Sequence, residues 1–90
     1  MVNYTTLKAR MYLINITVNL SNMKYLFKDK TTFNDNISNW DTSKVTDMGF
    51  MFYNASSFNQ DLSWDVTNVT TTDMMFFNAS SFNGNITNWK

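Results

Sequence analysis

The chain has 90 residues, with seven basic and seven acidic side chains and neither histidine nor cysteine. That length allows one small domain with a modest core. The balanced charge gives neither the basic patch that nucleic acid needs nor the charge run that an anionic membrane surface attracts. Without Cys, His or Glu there is no disulfide, no thiolate metal site and none of the usual catalytic base and nucleophile pairs, so the reading is of a non-enzyme without a cofactor.

Apolar residues make up 43 % of the chain and aromatics 17 %, enough to bury surface. The polar half is dominated by 14 Asn, 12 Thr and 8 Ser, with no proline and only 2 Gly. Turns must then come from Asn, Asp and Ser, which bond their own backbone and tolerate left-handed conformations.

Taken in chain order, residues 1–19 show a small basic section and then an apolar one interrupted by Asn15, Thr17 and Asn19. No small-residue cleavage site follows, so no clear signal peptide is read, and nothing approaches the ~20 apolar residues of a spanning helix. This segment is expected to be a degenerate first coil or an N-terminal cap. From residue 20 onward the chain repeats itself. Residues 20–32 form a partial unit, in which Leu20, Met23, Tyr25, Leu26, Phe27 and Asp29 lie 25 positions before Val45, Met48, Phe50, Met51, Phe52 and Asn54. A full unit at 33–57 reads FNDNISNWDTSKVTDMGFMFYNASS, and the next, at 58–81, reads FNQDLSWDVTNVTTTDMMFFNASS. A partial unit, FNGNITNWK, closes the sequence at 82–90. Phe33, Phe58 and Phe82 are spaced 25 and then 24, and Trp40, Trp64 and Trp89 are spaced 24 and then 25. One deletion explains the difference, because ISNW at 37–40 and ITNW at 86–89 become LSW at 62–64.

Within a unit, Asn34 to Trp40 mixes polar and apolar residues around Ile37, which suits a short strand. Val45, Met48, Met51 and Phe52 then recur at spacings of 3, 3 and 1, close to a helical stripe. Thr42 or Ser43 could cap that helix, and Asn54 could end it in the left-handed conformation. A period near 25 falls in the range of leucine-rich repeat coils, each a short strand plus a helical piece. The expected fold is therefore an α/β solenoid, with equivalent residues of successive coils ~4.8 Å apart. Phe33, Phe58 and Phe82 should stack as one internal ladder and Trp40, Trp64 and Trp89 as another. Asn54 over Asn78 should exchange side-chain hydrogen bonds. The shortened second unit should have a tighter turn, with Trp64 displaced from the other two indoles.

Each candidate site has a plain structural counterpart. Asp41 and Asp65 follow Trp at equivalent positions and could share Ca²⁺, but a turn residue bonding its own backbone explains them as well. Met48, Met51, Met74 and Met75 could form an adaptable surface, yet their spacing suits a core. The Trp rings could stack on sugars, yet their repeat spacing suits a ladder. The many Asn-X-Ser/Thr words follow from the repeat itself, and no metal site is read. For binding, alternation along a strand would turn the neighbours of Ile37, Leu62 and Ile86 outward: Asn36 and Ser38, Asp61 and Ser63, Asn85 and Thr87. Such a face suits a polar protein or a glycan, and plain solvated surface would look the same.

The words FNQDLS, NWDTSKVTDM and MFYNASSFN resemble the BspA-like leucine-rich repeat surface proteins, whose ~25-residue repeats occur in mycoplasma surface lipoproteins and other bacterial cell-surface proteins. The resemblance covers residues 33–90 and, more weakly, 20–32. It implies a right-handed leucine-rich-type solenoid, at the cell surface or secreted, acting in adhesion or partner binding without catalysis. No lipid-anchor cysteine accompanies it here. The rival expectation is a structural or self-assembling piece of a longer protein, stacking end to end with other chains.

Overall fold

A computed structural model describes residues 21–87 and Trp89. The expected cap at 1–19 lies outside the described residues. Three coils are seen, here numbered from the amino-terminal side: the first at 21–45, the second at 46–69 and the third from 70 onward. They lie side by side in parallel, pinned by bridges between Asn22 and Asp47 and between Asp47 and Thr71.

Where a helix was expected, each coil forms a ribbon of overlapping turns. In the first coil, Leu26, Lys28 and Lys30 donate their backbone N–H groups to the carbonyls three residues back, on Met23, Tyr25 and Phe27. The intervening N–H groups point out of the ribbon. Met23, Tyr25, Phe27 and Asp29 donate to Asp47, Gly49, Met51 and Tyr53 of the second coil at 2.9, 3.1, 2.9 and 2.7 Å. The second coil repeats this on the third, with Met48, Phe50, Phe52 and Asn54 donating to Thr71, Asp73, Met75 and Phe77. An α-helix would consume every one of these amides internally, at i−4. Stacking needs half of them, and a buried unpaired amide is costly, so the ribbon replaces the helix.

The ribbon requires a left-handed residue at the third place of alternate turns. Tyr25 and Asp29 (φ 66° and 63°), Phe50 and Asn54 (57° and 59°), and Met74 and Asn78 (51° and 57°) supply it. Asn and Asp enter this region cheaply, whereas bulky residues enter it rarely. Tyr25, Phe50 and Met74 are held there by their exported hydrogen bonds or by the turns they close.

The expected α/β solenoid, with one strand and one helix per coil, is therefore not formed. Among the described residues there is no helix, and pairing goes no further than isolated bridges. At residues 34–40 and their repeats, side-chain oxygens do the work of strand carbonyls. Asn34 Oδ1 accepts from the Asn59 N–H, Asn59 Oδ1 from the Asn83 N–H, and Asp61 Oδ1 from the Asn85 N–H, each at 2.8 Å. Leu62 adds a backbone bond between these segments, donating to the Asn85 carbonyl at 3.1 Å.

The core is a set of aromatic columns running through the coils. Phe33, Phe58 and Phe82 stack with centroids 5.6 and 5.9 Å apart, and Phe27, Phe52 and Phe76 with centroids 5.6 and 5.5 Å apart. The two columns interlock at 4.0 to 4.1 Å within each coil. Met23, Ile37, Val45, Met48, Met51 and Leu62 fill the spaces between them. Thr42 is buried and donates its hydroxyl to the Asp65 carbonyl at 3.0 Å, joining coils rather than capping a helix.

The shortened unit departs from expectation in an informative way. Turns close at Ile37–Trp40 and Ile86–Trp89, but no such turn closes at Leu62–Trp64. Even so, Trp64 lies 6.5 Å from Trp40 with the rings only 4° from parallel. Its indole N–H reaches the Ile37 carbonyl at 3.0 Å, as that of Trp89 reaches the Leu62 carbonyl at 2.7 Å. The deletion removes the turn rather than tightening it, and the indole stays in register.

Candidate partner-binding surface

The six residues read as a strand face are split by the structure. Asn36, Asp61, Ser63, Asn85 and Thr87 are exposed and Ser38 is half-buried. Asn36 Oδ1 accepts both the N–H and the hydroxyl of Ser38, at 2.9 and 2.7 Å. Asn85 Oδ1 does the same for Thr87, at 2.9 and 2.8 Å. Asp61 spends one oxygen on the next coil, and Ser63 sits where the turn is missing. The side-chain oxygens of Asn36, Asp61 and Asn85 thus build turns and join coils.

Asp41 and Asp65 are also turn builders. Asp41 Oδ1 accepts from the Ser43 N–H and hydroxyl, and Asp65 Oδ1 from the Thr67 N–H. The hydrogen bonds from Thr67 hold the Asp65 carboxyl below its ordinary range, against opposition from Asp41. Among the described residues no group of three or more potential ligands stands together to hold a metal ion. Asn54 does not bond Asn78. Its amide donates to Asp29 Oδ1 at 2.9 Å, one coil away. Asp29 also takes the Lys28 ammonium at 2.8 Å; the bonds from Lys28 and then Asn54 lower its carboxyl, and the bond to Asp29 raises the lysine.

The most partner-like surface lies on the outer side of the turn ribbon. Two columns run across the coils there: Tyr25, Phe50 and Met74, and, three residues on, Lys28, Tyr53 and Phe77. Ring centroids are 5.4 Å apart for Tyr25–Phe50, 5.5 Å for Phe50–Tyr53 and 5.2 Å for Tyr53–Phe77. Tyr25, Met74 and Phe77 remain 50, 52 and 46 % exposed. Lys24 sits 5.0 Å over the Tyr25 ring and Lys28 5.3 Å over the Tyr53 ring. The helical stripe of Val45, Met48, Met51 and Phe52 leaves Phe50 and Tyr53 on the other side, and sequence reasoning gave them no role there. The available signal was a large apolar residue recurring at 25, 50 and 74, out of step with the inward Met23, Met48 and Phe27, Phe52.

Fold and surface together define a repeat protein in which near-copies of one turn-rich coil stack in parallel and present aligned rows of side chains. The chain belongs to the family described as Mycoplasma protein of unknown function, DUF285, which it matches over residues 6–90. No curated protein and no solved structure matches it. No described helix is long and apolar enough to cross a membrane.

Proposed function

We propose that this chain is a non-catalytic repeat module of a BspA-like cell-surface protein, and that it binds a protein or glycan partner in adhesion. The observation that carries the reading is the outer strip of Tyr25, Phe50, Tyr53, Met74 and Phe77. Large apolar side chains gathered in the open mark interaction surfaces, and Tyr, Phe and Met are the types enriched at interface centres. Lys24 and Lys28 give the strip a cationic rim.

The test is binding of the labelled chain to an array of cell-surface proteins and glycans. Tyr25→Asn with Phe77→Ser should weaken the captured interaction at least tenfold while near-ultraviolet circular dichroism stays native. Alanine at Asn36 and Asn85 should leave it within about twofold once the fold is verified. Unchanged binding by the strip variant, or no binding to any class of surface molecule, would refute the proposal.

A further inference from the structure

The outer flank of the turn ribbon runs alongside the coil stack rather than across its ends. Phe50 and Tyr53 stay only half-buried there although a coil lies on either side of them. Each outward column takes one residue from each coil. Beside the columns Tyr25, Phe50, Met74 and Lys28, Tyr53, Phe77 runs a third, made of Lys24, Gly49 and Asp73. It carries a cation at one end, an anion at the other and no side chain between. A Cβ at Gly49 would stand 3.6 Å from the Asp73 carbonyl oxygen and 3.9 Å from Lys24 Cε, so the lysine stem leans over this bare position. Lys24 and Asp73 are exposed, and neither forms an ion pair with a described residue. The flank therefore holds two opposite charges without partners at the two ends of an apolar centre.

We infer that this flank docks on the same flank of a second copy of the chain, about a two-fold axis lying along the ribbon of the second coil. The inference rests on the adhesive role proposed for the strip and names its partner, which makes the contact homophilic. Rotation about that axis lays each column on its own copy with the coils in reverse order, so the first coil meets the third. Lys24 then faces Asp73 of the second copy, and the same pair forms again at the other end. Gly49 lies over Gly49, where the lack of side chains lets the backbones approach. Tyr25 faces the Met74 thioether, a favourable sulfur–ring contact, and Phe50 faces Phe50. Lys28 reaches the Phe77 ring of the second copy, as it already caps Tyr53 at 5.3 Å. One like pair remains, Asp47 with Asp47 on the axis, each holding its own Gly49 N–H at 2.8 Å. The other two-fold arrangement, with each coil on its own copy, brings Lys24 against Lys28 and leaves Asp73 facing a Phe77 ring. Like charges across a contact are costly, so charge selects the axis as well as the occupant. Such a contact is isologous and closes at two chains. It is small beside a standard interface and weak alone, and rows of copies on facing surfaces multiply it.

The experiment is light scattering and sedimentation of the full chain, from low micromolar to millimolar concentration. The mass should rise to twice that of one chain and stop there. Lys24→Asp and Asp73→Lys alter exposed residues, so both variants should keep a native near-ultraviolet circular dichroism spectrum. Each puts two like-charged contacts into the dimer and should shift association at least tenfold to higher concentration. An equal mixture of the two variants should recover association to within about threefold of the unmodified chain, because each supplies the charge the other lacks. Asp47→Asn keeps an oxygen for the Gly49 N–H and should strengthen the contact. A monomer at every concentration would overturn the proposal, as would growth beyond two chains or a mixture that associates no better than its parts. Capture of a foreign surface molecule by a chain that stays monomeric would also overturn it, and would leave the adhesion reading standing. That reading fails separately, when the strip variant binds the array unchanged.

Discussion

Phe58 is the most informative core position to remove. It is fully buried, with ring centroids 5.6 Å from Phe33, 4.1 Å from Phe52 and 5.9 Å from Phe82, all within 9° of parallel. Deleting a buried phenylalanine side chain costs about 3–5 kcal/mol, including the cavity left behind. With ring neighbours on both sides along the stack, Phe58→Ala should fall at about 4 kcal/mol. Phe82 has stacked neighbours at 5.9 and 4.1 Å and is half-buried, so Phe82→Ala should cost about half of that. A domain of this size holds about 5–13 kcal/mol in all, so the first variant should be close to unfolding and the second clearly folded. Urea titration followed by tryptophan fluorescence, at concentrations below any association, measures both. Equal costs for the two variants, or less than about 1.5 kcal/mol for Phe58→Ala, would refute the ladder as the main source of stability.

Gly84 and Gly49 should respond oppositely to alanine. A Cβ at Gly84 would press against the Gln60 carbonyl oxygen, and backbone cannot yield, so about 1–3 kcal/mol should be lost. At Gly49 the nearest atom is the Asp47 carboxylate at 3.2 Å, which can shift, and the cost should stay under about 1 kcal/mol. Asn54→Ala should cost about 1–2 kcal/mol by denaturant titration, because it puts a Cβ residue with no local hydrogen bond at φ 59° and breaks the bond to Asp29. Asn54→Gly should recover most of that loss. Asp29 and Asp65 have carboxyls lowered from their ordinary 3.8, so their contribution is present above that pH and lost as pH falls below it. Lys28 is raised above 10.5, so its contribution persists through neutral pH and disappears only in strong base. Stability measured against pH should therefore fall on the acid side, and Asp29→Asn should flatten that fall.

The period was legible because stacking copies it into the sequence. The spacing of 24 and 25 between recurring Phe and Trp is also the spacing of the backbone bonds from Met23 to Asp47 and from Thr46 to Ser21. The local conformation was not legible. Inward residues three and four apart are what an amphipathic helix would show, and a turn ribbon closing every second residue produces them too. What distinguishes the two is the left-handed residue. At Asn54 and Asn78 the residue type announces it, but at Tyr25, Phe50 and Met74 it does not. Those conformations are imposed by contacts between coils, which no local window contains. The same limit hid the outer strip of Tyr25, Phe50, Tyr53, Met74 and Phe77, because its side chains are aligned only once the coils are stacked. The asparagine row at 34, 59 and 83 looked like strand entry because its side chains stand in for the carbonyls a strand would have used.

The missing turn at Leu62–Trp64 says which insertions and deletions the molecule can absorb. Along the ribbon, inward and outward amides alternate, so one residue gained or lost there would exchange the two sets and break every bond to the neighbouring coil. At the Ile37–Trp40 corner one residue can vanish with the indole still in place. Length variation among related repeats should therefore collect at that corner, and the ribbon should change only by whole coils.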